Sequence, residues 1–114
     1  MDKQTRKQIL DSYKARRAVG GVFAVRNSAN GKSLIQFTTE LQGSLNRFQF
    51  SQMTGGCSYK VLQEDYQKYG SGAFTIDVLE ELIQKEGQTE QDFRREIEAL
   101  YGMLISQIDP AELY

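Results

Sequence analysis

The stretch GGVFAVRNSANGKSLIQFT, residues 20–38, predicts the centre of the fold. An Asn-Gly pair at residues 30 and 31 lies between two apolar-rich runs, which is the strongest short-range signal for a β-hairpin. Along residues 22–27 the side chains alternate, so we expect one face of this strand to enter a core and the other to carry mixed groups. A two-stranded ribbon is marginal in water, so later segments must cover it.

Length and composition predict one globular domain over residues 1–114, with an N-terminal helix over 1–18. The chain is 39% hydrophobic and 25% charged and has a single proline, which is typical of a folded domain rather than a disordered chain. No run approaches the ~20 apolar residues of a membrane span, and the N-terminus lacks the apolar segment of a signal peptide. The lone Cys57 excludes an internal disulfide, and we expect a reducing, cytoplasmic location.

The chain has no histidine, which is the most restrictive feature of its composition. This excludes Ser-His and Cys-His nucleophile pairs, imidazole general bases and histidine-containing zinc sites. With one cysteine, a zinc site built from several thiolates is excluded as well. Any catalysis must therefore use carboxylate, hydroxyl, phenol or basic side chains, together with a hard metal such as Mg²⁺.

Charge is divided unevenly along the chain. Residues 1–60 contain 10 lysines and arginines against 3 acids, a net charge of +7, whereas residues 61–114 contain 4 against 12, a net charge of −8. A basic half of this kind is one signal of a face that contacts DNA or RNA, although composition alone favours the alternative. The alternative is that the two halves neutralise each other, either within the fold or across a contact with a second copy or another protein.

Outside the hairpin, hydrophobic periodicity predicts four helices and one further strand. The helices are expected over residues 3–17, 40–52, 58–69 and 90–107, the strand over 73–79, and a helical or irregular acidic link over 80–86. In the last helix apolar side chains repeat at i, i+4, i+7, i+11 and i+15, which is a sustained packing face. The predicted class is α/β of the α+β kind: a small, three-stranded, mostly antiparallel sheet flanked by helices.

Three short motifs of the hairpin resemble those of the GIY-YIG nuclease family. Gly-Val-Phe at 21–23, Asn-Gly-Lys at 30–32 and Leu-Ile-Gln at 34–36 stand where the family has Gly-Ile-Tyr, Asn-Gly-Lys and Tyr-Ile-Gly. Phe23 and Leu34 are eleven residues apart, which fits the separation of the two family tyrosines.

The resemblance continues beyond the hairpin. The segment LQEDYQKYGSGAFTIDVLEEL, residues 62–82, resembles the family's helix, Lys-Tyr-Gly turn and third strand. Small stand-alone bacterial members also share the Asn-Arg-Phe of residues 46–48 and the Asp-Pro-Ala-Glu-Leu-Tyr of residues 109–114. The resemblance implies a GIY-YIG-like core over residues 19–110.

The family resemblance also implies a type of chemistry. Such nucleases cleave phosphodiester bonds with one divalent metal, Mg²⁺ or Mn²⁺. Two tyrosines activate or orient water, an arginine on the first helix after the hairpin steadies the phosphate, and a glutamate on the last helix holds the metal. These roles agree with the need for a proton acceptor, a cation opposite developing charge and a hard metal ion.

This chain departs from the family pattern at most of those positions. Phe23 replaces the first tyrosine and has no hydroxyl, Leu34 replaces the second, and Gln36 replaces the motif glycine. Aligning the last helix on its Ile-Asp-Pro end places Tyr101 at the position of the metal-binding glutamate. A neutral phenol is a poor magnesium ligand beside a carboxylate.

Two charged residues are candidates for a remaining site. Arg47 is the plausible retained phosphate-binding arginine, although alignment from Leu34 places Ser44 there, one turn earlier on the same helix face. Glu98, three residues before Tyr101, lies on nearly the same face and is the candidate metal ligand. The alternative for Glu98 is an exposed acid paired with Arg94 at i−4.

Three functions follow from these observations. The leading hypothesis is a catalytically degenerate nuclease-like domain that binds nucleic acid or protein and carries no cofactor. The second is an active endonuclease that uses Mg²⁺ or Mn²⁺ with Glu98 and Arg47 in a rearranged site. The third is a structural or regulatory domain that binds itself or another protein. No membrane partner is expected.

Overall fold

The computed structural model of the chain describes residues 18–57 and 59–114. Three strands form one antiparallel sheet: β1 (Val19–Asn27), β2 (Ser33–Thr38) and β3 (Phe74–Ile83). Their order is β2-β1-β3, so the first strand of the hairpin is the central strand. The predicted hairpin, antiparallel sheet and α+β class are confirmed. The helix predicted over residues 3–17 lies outside the described residues.

Helices cover both faces of the sheet. The α-helices are α1 (Leu41–Thr54), α2 (Gln63–Tyr69) and α3 (Glu90–Ser106), with 3₁₀ turns at Lys60–Leu62, Ser71–Ala73 and Pro110–Glu112. Thr89 caps α3, because its hydroxyl accepts a hydrogen bond from the Asp92 N–H at 3.1 Å; the Thr-Glu-Gln-Asp of residues 89–92 is a capping-box-like start signal. Among the described residues, no helix combines the length and apolar character needed to cross a membrane.

The third strand is longer than its sequence pattern predicts. Glu80–Ile83, expected to begin a helical or irregular link, continue β3 because they pair with the first residues of β1, from Val19 to Val22. The register shifts between Val22 and Phe23, which leaves Leu79 as an extra residue on β3. The shift also changes which side chains face inward: Leu79 packs towards α3, and Val78 is 42% exposed.

The central strand is buried on both faces from Gly20 to Val25, so the mixed face expected over residues 22–27 is limited to the end of the strand, where Arg26 is exposed. Phe23 and Val25 pack with α1 and α2 in a first core cluster. Val22 and Ala24 pack against α3 in a second. A strand with neighbours on both edges and helices on both faces has no side left for solvent, which explains its continuous apolar run.

A hydrogen-bond network fastens Tyr114 to the hairpin turn. The Tyr114 hydroxyl donates to Asp65 Oδ2 at 2.6 Å and accepts from the side-chain amides of Asn27 at 2.8 Å and Asn30 at 3.2 Å. Both amides also lie within hydrogen-bond distance of Asp65 Oδ2. The Tyr114 N–H donates to the Ser33 carbonyl, so this residue is tied to β2 as well.

Replacing Tyr114 with phenylalanine is expected to lower the free energy of unfolding by about 1 kcal/mol, because Asp65 loses its shortest hydrogen bond at a partly exposed site. Burial and the bond to Asp65 raise the pKa of the Tyr114 phenol above 10.0. The fold therefore favours the neutral phenol, and the stability it contributes is complete below pH 10 and is lost as pH rises through the folded-state pKa.

Urea unfolding of wild type and Tyr114→Phe between pH 8 and pH 11 tests this prediction. The variant should lose less stability over the alkaline range than wild type. Some loss should remain, because burial also raises the pKa of Tyr59 and Tyr66. Parallel stability curves for the two proteins would contradict the proposed role of the network.

Candidate nucleic-acid interface

An open cleft of about 190 Å³ lies between β2 and α1. We call it the Arg47 cleft; it is lined by Phe23, Gln36, Phe37, Thr38, Glu40, Gly43, Ser44, Arg47 and Tyr59. The hairpin contributes its floor, α1 contributes one wall, and Tyr59 enters from the segment before α2. The cleft therefore gathers polar and charged groups from three separate parts of the chain.

Phe23 lies beneath this cleft as part of the core. It is only 2% exposed, and its ring lies 6.4 Å from that of Tyr59, tilted by 48°. Phe23 pairs directly with Gln36 across the two strands, so both side chains are on the same face of the sheet. Phe23, which the sequence resemblance aligns with the first family tyrosine, is thus an apolar packing group.

Leu34 lies on the same face but outside the Arg47 cleft. It pairs with Val25, two residues along each strand from the Phe23–Gln36 pair, and packs against the first core cluster. Its side chain is partly buried. Neither residue at the tyrosine positions offers an oxygen or nitrogen atom to a ligand.

Arg47 and Ser44 both line the Arg47 cleft. They lie three residues apart on α1, which places them on one helix face. Ser44 is buried and Arg47 is exposed. The two alternative positions for the phosphate-binding residue therefore contribute to one site, a hydroxyl at its base and a guanidinium at its mouth.

Tyr59 is a cleft residue that the sequence pattern did not identify, because a tyrosine in the helix predicted over residues 58–69 is expected to pack that helix. Its backbone carbonyl accepts hydrogen bonds from the Cys57 thiol and the Leu62 N–H, both at 3.0 Å. Burial raises the pKa of the Tyr59 phenol, and the positive charge of Arg47 offsets part of that rise. The phenol is therefore neutral at physiological pH and able to donate a hydrogen bond.

Tyr101 and Glu98 lie on α3, which packs on the opposite face of the sheet from α1. The ring of Tyr101 contacts that of Phe37, with centroids 5.1 Å apart. Glu98 is exposed. Its expected ion pair with Arg94 is absent, because the Arg94 guanidinium lies over the Phe37 ring, 5.8 Å from the centroid. A guanidinium held on an aromatic face gains a cation–π interaction that replaces the helical ion pair.

The residues near the cleft do not fit a magnesium site. Mg²⁺ is held in proteins by carboxylate oxygens in a strict octahedral arrangement. Among the described residues, Glu40 is the one carboxylate that lines the Arg47 cleft. Tyr101, which the sequence resemblance aligns with the family's metal-binding glutamate, packs its ring against Phe37. Within residues 18–57 and 59–114, no three aspartate, glutamate or cysteine side chains come together as a metal-binding group.

Comparison with known proteins identifies the fold. Two similar solved structures are of the catalytic domain of I-TevI, a GIY-YIG homing endonuclease. One is 21% identical with a TM-score of 0.58, covering 83% of this chain and 95% of that chain. The other, a single-site mutant, is 19% identical with a TM-score of 0.55, covering 78% and 82%. No family model and no curated protein matches. The predicted GIY-YIG-like fold is confirmed.

Proposed function

We propose that this chain is a nuclease-like domain that binds the phosphate backbone of DNA or RNA in the Arg47 cleft without hydrolysing it. One observation supports the proposal: Phe23 and Leu34, which the sequence resemblance aligns with the two family tyrosines, are apolar side chains, Phe23 within the first core cluster and Leu34 packed against it. The scaffold of the nuclease fold is retained, but its water-activating hydroxyls are not.

The groups that remain are suited to binding. Arg47 can form two parallel hydrogen bonds to a phosphate, and the hydroxyls of Ser44 and Tyr59 and the amide of Gln36 are further donors in the same cleft. Hydrolysis would also need an activated water and a metal opposite the leaving oxygen. The single carboxylate, Glu40, instead repels a phosphate by its charge.

Metal ions have a limited place in this function. GIY-YIG nucleases depend on metal ions in general, whereas an arginine and neutral donors bind phosphate directly. We therefore expect nucleic acid to bind without Mg²⁺ or Mn²⁺ and to stay bound in the presence of a chelator. The lone Cys57 supports a cytoplasmic protein, since nucleic acid is encountered there and free thiols are kept reduced.

Arg47→Gln is expected to weaken binding of an oligonucleotide about tenfold, because one charge-assisted phosphate contact is lost. The salt dependence should change with it: the slope of log K against log salt should fall by about 0.7 for a single strand. Fluorescence anisotropy with a labelled oligonucleotide in chelator, over a series of salt concentrations, measures both quantities.

Glu40→Gln is the matched control, because it removes the opposite charge from the same cleft. It should strengthen binding where Arg47→Gln weakens it, with both proteins equally folded. Equal affinities for wild type and the two variants would show that phosphate does not enter the Arg47 cleft. The protein-binding alternative would then be preferred.

A further inference from the structure

A second cleft lies on the other side of β2. It has a volume of about 390 Å³ and is lined by Gln36, Phe37, Thr38, Thr39 and Arg94. We call it the Arg94 cleft. Gln36, Phe37 and Thr38 also line the Arg47 cleft. The two clefts therefore share the middle and end of β2, one on the α1 side and one on the α3 side.

The shared boundary is the outer edge of the sheet. β2 has β1 on one side, and the described residues pair with its other side only at Ser33, next to Leu113 and Tyr114. The Tyr114 N–H donates to the Ser33 carbonyl, so the backbone of Ser33 points away from β1. Because backbone direction alternates along a strand, the N–H and C=O groups of Ile35 and Phe37 also point outward.

Arg94 is held at this edge without a carboxylate partner. Its guanidinium lies 5.8 Å from the centroid of the Phe37 ring, and no acid among the described residues lies within ion-pair distance of it. The neighbouring Arg95 differs, since it lies 3.9 Å from Asp92. Glu90 and Glu98, one turn before and one turn after Arg94 on the same face of α3, do not line the cleft.

We propose that one phosphodiester backbone crosses the open edge of β2 and contacts Arg47 in one cleft and Arg94 in the other. This inference rests on the proposed function and adds a second, separate contact to it. Phe37 lines both clefts, and its outward N–H group is a donor for phosphate or sugar oxygens, whereas Ile35 is only 4% exposed. Phe37 orients Arg94 and so is a positioning residue.

The chemistry of the edge favours a nucleic-acid backbone over an added protein strand. A peptide that extends a sheet needs pockets for its alternate side chains. Here the shared lining is Gln36, Thr38 and Phe37, and the Phe37 ring is covered by the Arg94 guanidinium. An exposed arginine lies on each side. A guanidinium on each side of a line of neutral donors matches the repeated charge of a phosphate backbone.

The test compares wild type with Arg94→Gln, Arg94→Lys, Arg47→Gln and the double variant that carries Arg94→Gln and Arg47→Gln. Arg95→Gln is the matched control on the same helix. The probes are a labelled oligothymidylate and a labelled mixed-sequence duplex, which distinguish a single strand from a duplex as the source of the backbone. Anisotropy is measured in chelator over a series of salt concentrations.

We expect Arg94→Gln to weaken binding about tenfold. The slope of log K against log salt should fall by about 0.7 for the single strand or about 0.9 for the duplex. The double variant should bind about 100-fold more weakly than wild type, since the free energies of two separate phosphate contacts add. Arg95→Gln should change affinity less than about twofold. Arg94→Lys should keep the slope, because it retains the charge.

Three results would overturn the inference. If Arg94→Gln behaves like Arg95→Gln while Arg47→Gln still weakens binding, the proposed function stands and the second contact is wrong. If wild type binds neither probe at the lowest salt concentration, the proposed function and the second contact are both wrong. If light scattering shows that copies pair through the β2 edge and release the probe, the edge is a protein interface.

Discussion

Gly21→Ala is expected to lower the free energy of unfolding by about 3 kcal/mol, one of the two largest effects of a single substitution in this fold. A Cβ atom at Gly21 would lie 2.1 Å from the backbone oxygen of Glu80 and 3.2 Å from the Cα of Glu81. Both are main-chain atoms of β3, so a rotamer change cannot relieve the overlap. β1 and β3 would have to separate next to the bulge that sets their register.

Gly102→Ala is the control for this prediction. Gly102 lies within α3, and an added Cβ there would meet nothing within 4 Å. Because alanine has the higher helix propensity, this variant should be more stable than wild type by about 0.5–1 kcal/mol. Urea unfolding should show a lower free energy of unfolding for Gly21→Ala and a higher one for Gly102→Ala. A loss of stability in both variants would show that close approach to Glu80 does not explain the effect at Gly21.

Phe23→Ala is expected to lower the free energy of unfolding by about 3–5 kcal/mol, because a buried aromatic ring leaves a cavity that the surroundings fill only in part. Phe23 is 2% exposed and lies between the Arg47 cleft and the first core cluster. Its pairing with the Tyr59 ring would be lost as well.

Phe50→Ala removes the same ring from α1 at a position that is 66% exposed, and it should cost less than about 0.5 kcal/mol. The contrast matters for function. A residue that serves the site can be removed with little loss of stability, whereas Phe23 should be needed by the fold. Similar costs for the two variants would contradict the view that this tyrosine position has become part of the core.

The sequence predicts those parts of the fold that local patterns determine. The Asn-Gly pair gives the hairpin because few other residues adopt its turn, and Gly31 indeed has φ +74°. The apolar face of α3 and its Thr89 cap lie within one segment, so the predicted bounds 90–107 differ from those observed by one residue. The motifs of the hairpin likewise lie close together in sequence.

The remaining features depend on segments that are distant in sequence. Glu80 and Glu81 are in a strand because β1 offers them hydrogen-bond partners, which outweighs their low strand propensity. Tyr59 enters the Arg47 cleft from a segment that no periodic pattern describes. Arg94 leaves the expected partner Glu98 because Phe37 of β2 lies within reach. No single segment carries these signals.

We expect nucleic acid to bind in the Arg47 cleft and to remain uncut. A single-turnover assay tests it most directly: labelled single-stranded and duplex DNA and RNA are saturated with protein, Mg²⁺ or Mn²⁺ is added, and product is followed beside Glu40→Gln, Glu98→Gln and Arg47→Gln. We predict that the bound probe stays intact with wild type. Metal-dependent cleavage by wild type that any of these substitutions abolishes would contradict the claim and assign an active endonuclease.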